Sequence, residues 1–189
     1  MTGQRLKIGI IGVQPGRSWA ARAHIPALRA LSDTFDIVGI ANSTAASGQA
    51  AAAEIGVAKA FDGVADLIVA PEVDIVTVAV KVPPHFEIVK AAIEAGKHVY
   101  CEWPLGNGLA EAREMASLAK AKGVLGVVGT QARVAPEIEY LRHLIAPALS
   151  ARCCRSLWSR GAARHWAEAV FPTGRPTDIC WIAPMAQPC

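Results

Sequence analysis

Four stretches of the chain carry residue types and spacings that could do chemistry. The first is Lys7-Ile8-Gly9-Ile10-Ile11-Gly12-Val13-Gln14-Pro15-Gly16-Arg17-Ser18-Trp19. An apolar run ends in a glycine, a tight turn follows, and a helical pattern opens near Ser18. Strand, turn and helix in that order form the start of a dinucleotide-binding βαβ unit. Gly12 lets the backbone turn sharply, and Gly16 lets main chain approach a pyrophosphate. The first N–H groups of the helix then hold the negative charge. The spacing departs from Gly-x-Gly-x-x-Gly, because it reads Gly12-x-x-x-Gly16 and Gln14 and Pro15 fill places often held by small residues. Read by itself, the loop also fits a structural turn with no nucleotide. The second stretch is Ala41-Asn42-Ser43-Thr44. It falls where an acidic side chain would meet the adenosine ribose, and it holds no carboxylate. Asn42 can hydrogen-bond a ribose, and Ser43 and Thr44 can accept a 2′-phosphate without repulsion. That leans toward NADP or relaxed choice. Ser43 or Thr44 serves equally well as the cap of the following helix.

The third stretch is Val78-Ala79-Val80-Lys81-Val82-Pro83-Pro84-His85 and the fourth is Tyr100-Cys101-Glu102-Trp103-Pro104-Leu105. Each closes an apolar strand. Ligands of open α/β sheets bind beyond the carboxyl ends of the strands, so Lys81, Pro83, Pro84 and His85 belong on that edge. His85 reads as a helix-start residue or as a base, and a single histidine does not decide between them.

The elements that must position these residues alternate regularly. Strands are expected at Leu6–Gly12, Phe35–Ala41, Ala58–Phe61, Asp74–Val80, His98–Cys101 and Val124–Val128. Helices are expected at Ser18–Leu31, Thr44–Ile55, Val64–Val69, His85–Ala95, Leu109–Ala121 and from Pro136 to about Ile145. Pro26 should kink or restart the first helix, and Gly56, Gly96 and Gly123 stop later ones. The run Asp74–Val80 is apolar and β-branched, as in a strand buried on both faces of a parallel sheet. The pattern predicts an α/β fold, a doubly wound parallel sheet. Periodicity stops after Ile145. From about Pro147 lysine disappears and Arg, Cys, Trp and Pro become dense. That stretch reads as a GC-rich gene translated out of frame, or as an irregular tail. The domain expectation is therefore 1–128 for the nucleotide domain, 129–146 for the start of a second domain and 147–189 for the tail.

Composition narrows the class. Half of the residues are apolar (52%) and 19% are charged, which suits a globular core. The formal net charge is only +3 and the basic residues are scattered, so neither nucleic acid nor an anionic membrane is an expected partner. No apolar run approaches the roughly 20 residues that span a bilayer, and the N-terminus lacks a signal-peptide pattern. A cytoplasmic location is expected. The five cysteines are odd in number and mostly late, which argues against a disulfide framework. The Cys153-Cys154 pair lacks metal-ligand spacing, so no metal is expected.

Taken together, the glycine turn ahead of Ala23-His24-Ile25-Pro26-Ala27-Leu28, the Pro84-His85 step, Ala95-Gly96-Lys97-His98-Val99 and Glu102-x-Pro104-Leu105 resemble the glucose–fructose oxidoreductase (Gfo/Idh/MocA) family over about residues 6–145. Val128-Gly129-Thr130-Gln131-Ala132-Arg133-Val134-Ala135-Pro136 resembles the segment that leads out of its nucleotide domain. The resemblance implies a Rossmann domain for NAD or NADP, with contacts from Gly12, Gln14, Pro15, Gly16, Ser18, Trp19, Asn42, Ser43, Thr44, Lys81, Pro83, His85, Glu102, Trp103 and Pro104. It implies hydride transfer on a sugar, polyol or similar alcohol–ketone pair, and relatives that assemble as homo-oligomers.

Two departures qualify this. The family signature is Glu-Lys-Pro, and its lysine lies near nicotinamide and substrate. Trp103 stands there instead, and an indole neither carries charge nor transfers a proton in this way. Glu-Trp-Pro together with Arg17-Ser18-Trp19 is similar to the fungal galactose-pathway repressors, which share the fold, bind NAD(P) and regulate. The family's catalytic Asp and His lie in a second domain that this chain largely lacks, so its catalytic residues are unassigned. Enzyme, NAD(P)-sensing regulator and inactive remnant are the three readings. Apolar surface around Val128–Ile145 is expected to be left uncovered and prone to association.

Overall fold

The structure, a computed structural model, describes residues 5–130 and 133–144. Contacts divide the chain into two units at Thr130/Gln131. The first holds a five-stranded, all-parallel sheet in the order β2-β1-β3-β4-β5. Its strands are β1 (Leu6–Ile11), β2 (Phe35–Ala41), β3 (Ile75–Val78), β4 (His98–Glu102) and β5 (Gly126–Gly129). The helices between them are α1 (Ile25–Ala30), α2 (Ala45–Ile55), α3 (Val64–Val69), α4 (His85–Glu94) and α5 (Leu109–Lys122). The second unit contributes α6 (Pro136–Leu144). Among the described residues no helix is long and apolar enough to cross a membrane. The sequence features from Pro147 onward lie outside the described residues.

Alternation along the strands builds the core. Successive β residues point to opposite faces, and β1 shows it directly. Ile8 and Ile10 join a cluster with Ile25, Ile40, Ala51 and Val57. Ile11 faces the other way, into a cluster with Leu67, Val76, Val89, Ile93, Val99 and Met115. With both faces covered, continuous apolar strands are what burial demands.

Two elements differ from the pattern. The segment Ala58–Phe61 makes only an isolated bridge, Ile40 with Ala60, so the sheet has five strands and not six. The first helix opens as a π-helical turn, Ala20–His24, closed by Ile25 N–H donating to the Ala20 carbonyl. The α-helix then restarts at Ile25 with Pro26 in its first turn. The change from π to α winding falls just before the proline, which lacks the N–H that would extend the preceding turn, so the expected restart at Pro26 is what the chain does.

Candidate functional site

The chain order reverses direction between β1 and β3, which are neighbours in the sheet. A doubly wound sheet opens a crevice at that point. Here it is a cleft of about 710 Å³ lined by Gly12, Val13, Gln14, Pro15, Ser18 and Trp19, by Asn42, Ser43, Thr44, Ser47 and Glu54, and by Val80 and Lys81. The volume suits a ligand of cofactor size.

Gly12 shapes the floor. Its φ is +93°, and a Cβ there would lie 2.5 Å from Val80 Cγ1 and 2.8 Å from the Ala79 carbonyl oxygen. Only glycine lets β1 turn this close to the end of β3. The turn is then fastened from within. Gly12 N–H donates to the Ala41 carbonyl at 3.0 Å. Val13 N–H donates to Asn42 Oδ1 at 2.8 Å. The Ser18 hydroxyl oxygen accepts from Gln14 N–H at 2.9 Å and Ala21 N–H at 3.2 Å. Ser18 thus takes up two amide donors itself and ties the turn to the start of the helical segment.

Asn42 is buried and its amide is engaged on the protein side. Nδ2 donates to the Val13 carbonyl at 2.8 Å and to the Ser47 carbonyl at 3.1 Å. The side chain continues the β1–β2 pairing past the strand ends and forms wall. Thr44 caps α2, its hydroxyl accepting from Ser47 N–H at 3.2 Å. The hydroxyls of exposed Ser43, Thr44 and Ser47 therefore make up the polar surface at this end. Gly16 lies exposed in the turn, outside the cleft lining.

Lys81 belongs to the cleft lining, and the remaining candidates gather beyond β3 and β4 outside it. Lys81 and Pro83 are exposed. His85 is fully buried at the start of α4. Its Nδ1 lies 2.9 Å from the Pro104 carbonyl oxygen and 3.4 Å from Cys101 Sγ, and its Nε2 lies 3.0 Å from the Val80 carbonyl oxygen. The ring joins the loop after β3 to the loop after β4, a structural tie more than a ligand contact. Burial, with Glu102 nearby, pushes the Cys101 thiol up to about 12, so it keeps its proton. The Trp103–Pro104 peptide is cis. Trp103 is 68% exposed and Trp19 47% exposed. Glu102 pairs with His24, Nε2 to Oε1 2.5 Å, and both side chains are nearly buried. Tyr100 meets the His24 ring edge-on at 5.1 Å between centroids. Burial, with Glu102 and Cys101 adding, raises its hydroxyl above the ordinary tyrosine value. Gly129 leaves room for this cluster, since a Cβ there would lie 2.6 Å from the Tyr100 hydroxyl.

Sequence reasoning gave no role to Val13, Ser47, Glu54, Val80, His24 or Tyr100. Ser47, three residues after the Thr44 cap, had a readable signal. His24 lay inside a quoted motif, and nothing local said what it would touch.

The sequence profile described as "Oxidoreductase family, NAD-binding Rossmann fold", GFO_IDH_MocA, matches residues 6–130. The chain belongs to this family. The 1,5-anhydro-D-fructose reductase of Ensifer adhaerens is 40% identical over 123 residues, covering 65% of this chain and 34% of the reductase. The galactose/lactose metabolism regulatory protein GAL80 of Kluyveromyces lactis is 29% identical over 150 residues, covering 75% of this chain and 33% of GAL80. The crystal structure of an NAD-binding oxidoreductase from Klebsiella pneumoniae superposes with a TM-score of 0.66 at 32% identity, covering 75% of this chain and 39% of that one. The chain thus spans between 33% and 39% of the length of these relatives. Its first unit is the NAD(P)-binding Rossmann domain of the family, and the cleft at the β1/β3 switch point is where such a domain takes its dinucleotide.

Proposed function

We propose that this chain is the nucleotide-binding half of a hydride-transfer oxidoreductase that works in the cytoplasm on a sugar, polyol or related alcohol–ketone pair. The observation that carries the reading is the cleft itself. The glycine-floored turn after β1 leaves room for a pyrophosphate, and hydroxyls at the end of β2 supply a ribose site. The bound dinucleotide supplies the hydride chemistry. The residues of this chain bind and orient it. With Asn42 turned into the wall and no carboxylate at the end of β2, the ribose site accepts either NAD or NADP. The substrate half, and the surface through which copies of the whole protein associate, belong to the part of the family fold that follows the first unit.

A second reading is favoured by Trp103. The residue that stands where the family resemblance places lysine is an exposed indole, which transfers no proton. An NAD(P)-sensing regulator needs the cleft and not the lysine. Titration of the full chain with NADH and NADPH, followed by nicotinamide fluorescence, tests the shared premise. Saturable binding of both is expected, and no binding by a folded chain would overturn both readings. Turnover of a panel of sugars and polyols then separates them.

A further inference from the structure

The segment that carries the cleft-lining residues Gln14, Ser18 and Trp19 runs on through the π-helical turn Ala20–His24. A π turn closes its ring with one residue more than an α turn, and such turns concentrate at functional positions. Its last residue, His24, reaches across to Glu102, the last residue of β4. Side-chain exposures of 14% and 12% place this ion pair largely out of water, where a charge-assisted hydrogen bond is stronger than at the surface. Tyr100 packs edge-on against the imidazole, and the missing side chain at Gly129 keeps the space that the cluster occupies. One end of the segment is thus fixed at Gly12, and the other at the end of β4.

We propose that the His24–Glu102 pair is a positioning device for the dinucleotide, holding the far end of the glycine-turn segment against the end of β4 while His24 is protonated. This rests on the nucleotide-binding reading of the cleft. The neutral ring still donates one N–H, but without the charge the bond weakens. The segment end then loosens, and the cleft binds less tightly. The other ionisable groups on the elements packed here are His98, Tyr100 and Cys101 of β4, His85 of α4 against Cys101, Arg17 and Arg22 on the segment itself, and Lys81 beyond β3. The side chains among these other than imidazoles keep their charge near neutral pH. His98 stands at the opposite end of β4, bonded to Leu125 N–H, and the Glu102→Gln variant separates His24 from both other imidazoles.

The test is NADH affinity of the full chain, by nicotinamide fluorescence, from about pH 6 to about pH 8.5, the interval in which imidazole side chains titrate. Wild-type affinity should fall about fivefold as pH rises, the size of a partly lost charge-assisted bond. Glu102→Gln and His24→Gln should bind weakly at the acid end and show no slope. A wild-type affinity independent of pH overturns the proposal and leaves the nucleotide reading standing. A slope that survives in Glu102→Gln also overturns it, because the cation would then act on the phosphates directly. No NADH binding at any pH overturns the nucleotide reading and this proposal with it. Nitrogen-15 NMR of the His24 ring covers the case in which His24→Gln fails to fold. Saturating NADH should raise the pH at which His24 loses its proton, as reciprocal linkage requires, and Glu102→Gln should lower it. An unmoved titration in both would refute the positioning role.

Discussion

The carboxyl edge of the sheet has two halves built on opposite principles. Around β1 and β2 the surface is open. Asn42 and Ser18 hold the backbone in shape, and the hydroxyls of Ser43, Thr44 and Ser47 face the cleft. Around β3 and β4 the polar groups are drawn inward. His85 lies between two carbonyl oxygens and a thiol, and His24 is paired to Glu102. The first half leaves hydroxyls at the cleft surface, and the second ties loops together. Under the proposed function the contrast would give recognition to the first half and alignment to the second, and substitutions on either side test that division.

The largest effect should come where both halves meet. Gly12→Ala brings a Cβ within 2.5 Å of Val80 Cγ1 at a φ of +93°. Strain and overlap together should cost about 4 kcal/mol. Urea unfolding should show the loss, and NADH binding should vanish. Wild-type binding by this variant would mean that the turn is not the floor of the site.

His85→Ala should follow at about 3 kcal/mol, from a cavity plus the loss of the ring's tie to the Val80 and Pro104 carbonyls. If the tie is structural, thermal unfolding shifts, while whatever folds retains a measurable NADH affinity. A variant of full stability that binds no NADH would reverse the assignment and make His85 a ligand residue.

The strands and helices were legible because burial on both faces forces apolar runs, and because Gly56 and Gly123 end α2 and α5 in the left-handed conformation that favours glycine. The glycine turn and the Thr44 cap are local patterns, and a sequence displays them. Ala58–Phe61 has the composition of a strand, yet it makes a single bridge with β2, and pairing length is a tertiary property. The same holds for the site. Nothing adjacent to His24 announces Glu102, which is 78 residues away, and nothing near Asn42 tells that its amide will face Val13 and not a ribose.

Asn42→Asp sharpens that last point. A carboxylate at the end of β2 would ordinarily be read as a gain for NAD. Here Nδ2 donates to the carbonyls of Val13 and Ser47, so an oxygen in its place faces two acceptors. The expected result is a loss of about 2 kcal/mol, the cost of buried polar groups without partners, and weaker binding of NADH and NADPH alike. A clean switch to NADH would show that the side chain turns into the cleft when nucleotide binds.

Thr44→Ala is the smallest of the series and separates shape from contact within the open half. The Thr44 hydroxyl accepts Ser47 N–H and donates to Ser47 Oγ. Its loss removes a helix cap worth about 1 kcal/mol, seen as a small drop in thermal stability. The hydroxyl is also part of the cleft lining. If its only part is to cap α2, affinities for NADH and NADPH fall together by the same small factor. If it also meets the 2′-phosphate, NADPH falls further than NADH. The ratio of the two affinities, and not either one alone, decides whether recognition at the end of β2 belongs to Thr44 or to the neighbouring Ser43 and Ser47.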